Sequence, residues 1–337
     1  MRLPAFEKIA FVLSVTLLAF LYGVAVEHFR WFPRPLIQRA WRQAEAARWF
    51  GPPSFTHGKV YDREGVRVLE PDAVSPGLTV IAAAWPDGSG ITPGLRLIDQ
   101  QGNILHDWRI DPGEVFETSD TERVGAKTTD IHGSYLFPDG DVLVNLEYAG
   151  TVRLDACGAV RWKLPAGGHH SIARADDGTF WIPGVTAEAR SGSPGHPGGF
   201  PGLERPVFQD LLLRISEDGA ILDTINVLDV LYANGLEWLI ADERRTNTDD
   251  PTHVNDVEPL PDSLAAEYPL FEAGDLVVSL RHLDLVFVLN PVSGKVRWHA
   301  ARPFIMQHDP DFIGGGWIGV FDNRVDFTDR GTMLGGS

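Results

Sequence analysis

The sequence predicts an all-β chain, folded as a β-propeller behind one apolar N-terminal segment that reads as a transmembrane helix. Three observations carry this. The 35 Gly and 24 Pro are spread through 337 residues rather than clustered, which calls for many turns and short elements. Hairpin-like units with Asp-Gly or similar turns recur from about Leu78 onward. A hydrophobic content of 44% is ample for the core of one large β domain or two ordinary ones.

The N-terminal segment comes first in the chain. Ile9 to Val26 is an almost unbroken apolar run preceded by Arg2 and Lys8, long enough to span a bilayer. Gly23-Val24-Ala25 has the small-x-small form of a cleavage site, so residues 1–30 read as a membrane anchor or a signal segment; the run continues through that site, which favours the anchor. Arg30, Arg34, Arg39 and Arg42 follow it, and Leu36 to Phe50 reads as a basic amphipathic helix within a linker over 31–55. Residues 56–337 are left for the propeller.

Across the propeller region a pair of patterns alternates. The first is a polar residue or His, a turn, and a short apolar run: 131–146, 169–184, a stretched copy over 253–283, and 308–323. The second is a strand, a Gly turn and a strand often ending in Trp: 97–108, 153–164, 214–225 and 288–299. Each pair supplies four strands. Repetition of this kind is the sequence form of blades around a central channel, preferred here over a sandwich of hairpins. Two insertions interrupt it. Ala187 to Pro206 is Gly/Pro-rich without apolar period and reads as a loop over one face; Asn226 to Glu243 has helical spacing with a weak point at Gly235.

The formal net charge of -17 argues against a nucleic-acid partner, because phosphate binding rests on Lys and Arg. The single cysteine, Cys157, allows no internal disulfide. What concentrates chemistry is the stretch from Thr252 to Arg324. His253, Asn255, Arg281 and His308 stand there beside strand-like runs, and His132, the pair His169-His170, His253 and His308 all open the first pattern in successive units. In a propeller that is one end of one strand in each blade, facing one mouth of the channel. Packing gives no reason for imidazole at equivalent positions. Several imidazoles suit a metal, but Arg281 beside them would repel a cation and favours an anion, so no metal is expected. An ion pair of Arg281 with Asp284 is the structural alternative.

At these residues the sequence resembles the bacterial arylsulfate sulfotransferases. The matching pieces are HHSIARADDGTFWI, the H-x-N of THVND, the S-x-R of VSLRH, and the Q-H-D of MQHD followed by FDN. The resemblance implies a six-bladed propeller that moves a sulfuryl group from a phenolic sulfate ester to a phenol acceptor, without a nucleotide or other cofactor. It implies His308 as the nucleophile, His253, Asn255 and Arg281 as holders of the sulfate oxygens, and His170, or its neighbour His169, as the group that exchanges the phenolic proton. Only one of those neighbours is expected to reach the channel if both lie on a strand. His132 is expected to line the channel. Asp309 is a candidate to orient His308, and Asp322 and Asn323 fit as turn residues. The chain stops at Leu334-Gly335-Gly336-Ser337 where another strand is called for, so the last blade reads as incomplete. The resemblance also implies a soluble domain outside the cytoplasm, periplasmic or extracellular. Two other readings compete: a quinoprotein-like dehydrogenase, from the motif NPVSGKVRW, and a non-catalytic membrane-anchored propeller that binds a partner.

Overall fold

A computed structural model describes residues 5–28, 65–86, 91–116, 130–203, 205–240, 249–301 and 303–323. The chain divides into two units between Arg63 and Glu64. In the first, helix α1 (Ala5–His28) carries the apolar run Phe6–Val26, with mean hydropathy 2.5. At about 1.5 Å per residue it is long and apolar enough to cross a bilayer, and it is compatible with an anchor or a signal sequence. The amphipathic helix expected over Leu36 to Phe50 lies outside the described residues.

In the second unit, each pair of sequence patterns becomes one antiparallel sheet with strands in chain order. The sheets are β1 (Thr79–Pro86), β2 (Ile91–Ile98) and β3 (Ile104–Arg109); β4 (Ile131–Leu136), β5 (Val142–Leu146), β6 (Gly150–Leu154) and β7 (Val160–Leu164); β8 (Ala173–Arg174), β9 (Phe180–Val185), β10 (Asp210–Ile215) and β11 (Ile221–Asn226). They continue with β12 (Val254–Pro259), β13 (Leu276–Leu280), β14 (Leu285–Asn290) and β15 (Lys295–Ala301), then β16 (His308–Gly314) and β17 (Trp317–Phe321). The fold is all-β apart from α1 and short helical insertions.

Local chemistry explains the hairpins. In the second pattern an acid opens the turn and accepts from the chain that follows: Asp99 from the N–H of Gln101 and Asn103 at 2.9 and 2.8 Å, Asp155 from Cys157 and Ala159 at 2.8 and 2.9 Å. These bonds hold both carboxyls below the usual range, through Asn103 for Asp99 and through Ala159 for Asp155. Gly158 completes its turn at φ +86°, a backbone that residues with a Cβ rarely adopt.

Period-two alternation then stacks the sheets. Along β13 and β14, Leu276, Val278, Leu280, Leu285, Phe287 and Leu289 pack toward the third sheet, while Val277, Val286 and Val288 join Tyr268 and Phe312 toward the fifth. In β5, Val142, Val144 and Leu146 face the first sheet, and Leu143 faces Phe180, Ile182 and Leu213 of the third. Trp162 ends the second sheet against the third, its indole donating to Glu217 O at 3.1 Å. The first strands lie side by side, β1 on β4, β8 on β12 and β12 on β16, as the inner strands of blades do.

The insertions fold as the sequence predicts. Asn226 caps helix α2 (Val227–Ala233), its side chain accepting from Leu228 and Asp229 N–H at 3.0 and 3.3 Å, and Val227, Leu228, Val230 and Leu231 are buried. Gly235, at φ +67°, separates it from a short 3-10 turn, Glu237–Leu239. The Gly/Pro-rich loop is tied to α2 by Asp229, which accepts from Ser193 Oγ and meets His196 Nδ1, both at 2.6 Å.

Candidate active site

Four histidines converge where the first strands begin. His132 lies on β4, His170 just before β8, His253 just before β12, and His308 opens β16. His170 is the hub, its ring centroid 4.6 Å from that of His132, 5.1 Å from His253 and 6.1 Å from His308. Register shifts at the start of β4, β12 and β16 re-aim these positions. His170, His253 and Asp309 also take left-handed backbone, at φ +54°, +52° and +53°. Each such residue costs on the order of 1–3 kcal/mol, so the surrounding structure must hold it.

For His170 that support is visible. Asn145, fully buried on β5, donates to the carbonyls of His169, His170 and Ser171 at 3.3, 3.1 and 2.9 Å, and accepts from Thr151 Oγ at 2.6 Å. Gly133 passes so close that a Cβ would stand 2.1 Å from His170 O.

The histidine pair departs from the expectation that strand neighbours face opposite ways. Both residues precede β8, and the left-handed turn at His170 brings the two Nδ1 atoms to 2.8 Å. His169 is fully buried with Nε2 at 3.6 Å from Asp210 Oδ1, while His170 lines a cavity of about 390 Å³. In the 2.8 Å contact one Nδ1 carries the proton and the other accepts it; with the proton on His170, the Nε2 lone pair of that ring is left for the cavity, while His169 Nε2, too far from Asp210 for a hydrogen bond, is buried without a partner. Burial, and then the neighbouring imidazoles of His169, His132, His253 and His308, push the basicity of His170 far down.

His308 lines the same cavity, with its Nδ1 at 3.0 Å from Met306 O and 2.9 Å from the Asn323 amide. The Met306 carbonyl only accepts, which sets the proton on Nδ1 and leaves Nε2 a lone pair; that tautomer requires the Asn323 amide, which stands with Nδ2 at 2.9 Å, to present its oxygen instead. Burial, with the Arg281 charge and against the Met306 bond, lowers its pKa to about 4, so the ring is neutral at pH 7. Two expectations are corrected here. Met306 and Asn323 orient His308 where Asp309 was expected to, and Asn323 is a site residue rather than a turn residue. Asp309 lines the cavity.

The anion-holding candidates stand around these rings. Asn255 lines the cavity, donates one N–H to Gln307 O at 2.7 Å, and keeps a buried Oδ1 without a partner. His253 gives Nδ1–H to Asp250 Oδ2 at 2.6 Å, with Tyr148 OH 3.3 Å away. Arg281 opens the turn Arg281–Leu283, and its Nη1 lies 3.0 Å from His282 Nε2. Among the described residues it makes no ion pair, with Asp284 or any other acid. The sequence reading missed Asp250 and His282. Their signal was position: Asp250 stands three residues before His253, and His282 follows Arg281.

Asp250, His253 and His282 bring ligand-type atoms within 4.8 Å of one another. They do not suit a metal as they stand. Nδ1 of His253 is bonded to Asp250, both ring nitrogens of His282 are engaged by Asp250 O and Arg281, and the guanidinium adjoins the group.

The inner strands also carry acids: Asp256 and Glu258 on β12, and Asp309, which lines the cavity, with Asp311 on β16. None forms an ion pair with a described residue, and Asp256 Oδ2 is buried without a partner. Burial raises Asp256 well above the carboxylate range, and burial followed by Asp311 raises Glu258 to about 8. A carboxyl whose folded pKa is raised is stabilising while protonated. That contribution is whole below the unfolded value of 4.5 and lost as pH rises through about 8. At roughly 1.4 kcal/mol per pKa unit, discounted for sharing with Asp311 and for screening of a side chain that is only partly buried, it amounts to about 2 kcal/mol. Glu258→Gln therefore flattens the fall in melting temperature between pH 6 and pH 9; a variant that tracks the parent curve would refute the protonated pair.

A search of curated proteins finds no match. Among solved structures the chain is similar to BamB from Moraxella catarrhalis, at 11% identity and TM-score 0.35, covering 66% of this chain and 50% of that one, so it spans half the length of BamB. It is also similar to the C-terminal WD40 domain of Sif2, at 12% identity and TM-score 0.34, covering 74% of this chain and 67% of that one. A third is BBS1N, solved in complex with ARL6DN, at 11% identity and TM-score 0.31, with coverage of 72% and 74%. The arylsulfotransferase (ASST) family profile matches residues 148–335, which take in Tyr148, the histidine pair, His253, Asn255, Arg281 and His308. With more than half of its length matched, the chain belongs to the arylsulfotransferase family.

Proposed function

We propose that this protein transfers a sulfuryl group from an aryl sulfate ester to a phenol in two half-reactions through a sulfohistidine on His308, with no nucleotide cofactor. The observation that carries this is the state of His308: Nδ1–H is committed to Met306 O, the ring is neutral, and the Nε2 lone pair is free beside the cavity. In the first half Nε2 attacks sulfur. The bond from sulfur to the aryl oxygen breaks, its electron pair leaves with the phenolate, and the sulfo-imidazolium keeps Nδ1–H. In the second half an acceptor phenol gives up its proton, its oxygen attacks sulfur, and the S–N pair returns to Nε2.

Arg281 and the free N–H of Asn255 hold the sulfuryl oxygens, joined by His253, whose ring Asp250 orients through Nδ1. His170 exchanges the phenolic proton. The negative charge of the ester offsets the penalty that burial places on its imidazolium, so it takes a proton as the ester enters and passes it to the phenolate. His132 lines the channel, His169 holds His170, and the exposed ring of Phe321, paired across the sheet with His308, offers the aryl group a face. On this reading the sheets are blades of a six-bladed ring, and the unit they form lies outside the cytoplasm, periplasmic or extracellular, with α1 at the membrane.

The test is intact-protein mass spectrometry after brief exposure of the chain to an aryl sulfate without acceptor. One added sulfuryl group, mapped to His308, is the expected result. A folded protein that gains no adduct would leave the non-catalytic binding propeller as the better reading.

A further inference from the structure

We infer that His282 is a positioning residue that presents the guanidinium of Arg281 to the sulfuryl oxygens; this rests on the sulfuryl-transfer reading. Its ring is fixed at both ends. Nδ1 stands 2.8 Å from the backbone carbonyl of Asp250, which can only accept, so Nδ1 carries the proton. Nε2 is then a lone pair, and Nη1 of Arg281 donates to it at 3.0 Å. The backbone is held as well, with Arg281 N–H donating to His253 O at 3.0 Å and His282 N–H to Thr252 O at 3.2 Å. The ring also stacks on His253, with centroids 4.5 Å apart and planes 29° apart. One side chain therefore touches two of the three groups assigned to the oxyanion.

A neutral acceptor is the right partner for this task. A carboxylate in the same place would orient Arg281 equally well but cancel the charge that an anion needs, and acids are plentiful in a chain of net charge -17. Imidazole orients the fork through one of five donors and leaves the charge and the other four for the ligand. Burial, and then His253, keep the His282 ring on the neutral side, as an acceptor requires.

A double-mutant cycle tests this in the full chain, with transfer from a phenyl sulfate to a phenol as the readout. His282→Asn keeps a donor for the Asp250 carbonyl but withdraws the acceptor from Arg281; His282→Gln supplies an acceptor near the position of Nε2. His282→Asn should raise KM for the donor about tenfold with a smaller change in kcat, the loss of one charge-assisted hydrogen bond. His282→Gln should recover most of it. In an Arg281→Ala background His282→Asn should cost nothing further, because its effect runs through the guanidinium. Equal effects in both backgrounds, or unchanged KM in the single variant, would overturn the inference. If the parent chain transfers no sulfuryl group, the sulfuryl-transfer reading fails by itself. Calorimetric binding of inorganic sulfate to the same four proteins then decides: weakening by His282→Asn only where Arg281 is present supports the positioning role, and no difference refutes it.

Discussion

His308→Ala abolishes sulfuryl transfer and leaves the sheets folded. The first half of the claim follows from the absence of a substitute. Of the imidazoles that meet at the channel, His170 has Nδ1 tied to His169 and its basicity pressed down by burial, and His253 has Nδ1 tied to Asp250. His308 has its proton anchored on Nδ1 by Met306 O, and burial presses its basicity down less than that of His170, so its Nε2 is the stronger nucleophile beside the cavity. Without it the reaction loses its covalent route, and the drop in kcat/KM is at least about a thousandfold. The second half follows from placement. His308 is half-buried and lines a cavity, and among the described residues its side chain hydrogen-bonds Met306 and Asn323, so truncation costs about 1 kcal/mol or less. Turnover and a thermal melt on the same preparation separate the two, and near-normal turnover would remove His308 from the chemistry. A pH series adds a check of sign. Labelling of the parent protein should persist well below the ordinary imidazole pKa and fail only as pH falls through about 4, where His308 gains a proton and loses its lone pair.

How much of this was legible in the sequence depends on how local the determining physics is. Strands and hairpins are set by alternation and by turns such as Asp155 to Ala159, where one side chain closes the loop within five residues, so the sequence patterns map directly onto sheets. The convergence of the histidines was legible because repetition turns equal positions in sequence into equal positions in successive sheets. The conformation of His169 and His170 was not. It is dictated from 24 residues upstream by Asn145 and by the close approach of Gly133, neither of which marks its neighbours in sequence. The Asn323 contact to His308 was hidden for the same reason, since it depends on the pairing of β16 with β17. One clue was present and unused. In the strand Val142–Leu146 an asparagine interrupts an otherwise apolar run, and a buried amide there requires partners.

That amide sets the largest stability effect expected from a residue that never meets substrate. Asn145→Ala removes a donor shared by three successive carbonyls and the acceptor for Thr151 Oγ, the amide itself being fully buried. Buried groups left without partners cost about 1–3 kcal/mol each, and with the Ser171 contact only part-buried the total comes to about 3 kcal/mol. The loss reaches the chemistry as well. His170 holds a left-handed backbone that is unfavourable by itself, and once the carbonyls on either side are released, its ring drifts from the cavity and transfer falls together with the urea midpoint. Asn145→Asp separates hydrogen bonding from packing. A carboxylate has nearly the same shape but no N–H, and it would set negative charge against three carbonyl oxygens, so it should destabilise more than alanine does. If aspartate instead behaves like the parent residue, or alanine costs less than about 0.5 kcal/mol, the carbonyls are held by something other than this amide, and the geometry of the histidine pair has another origin.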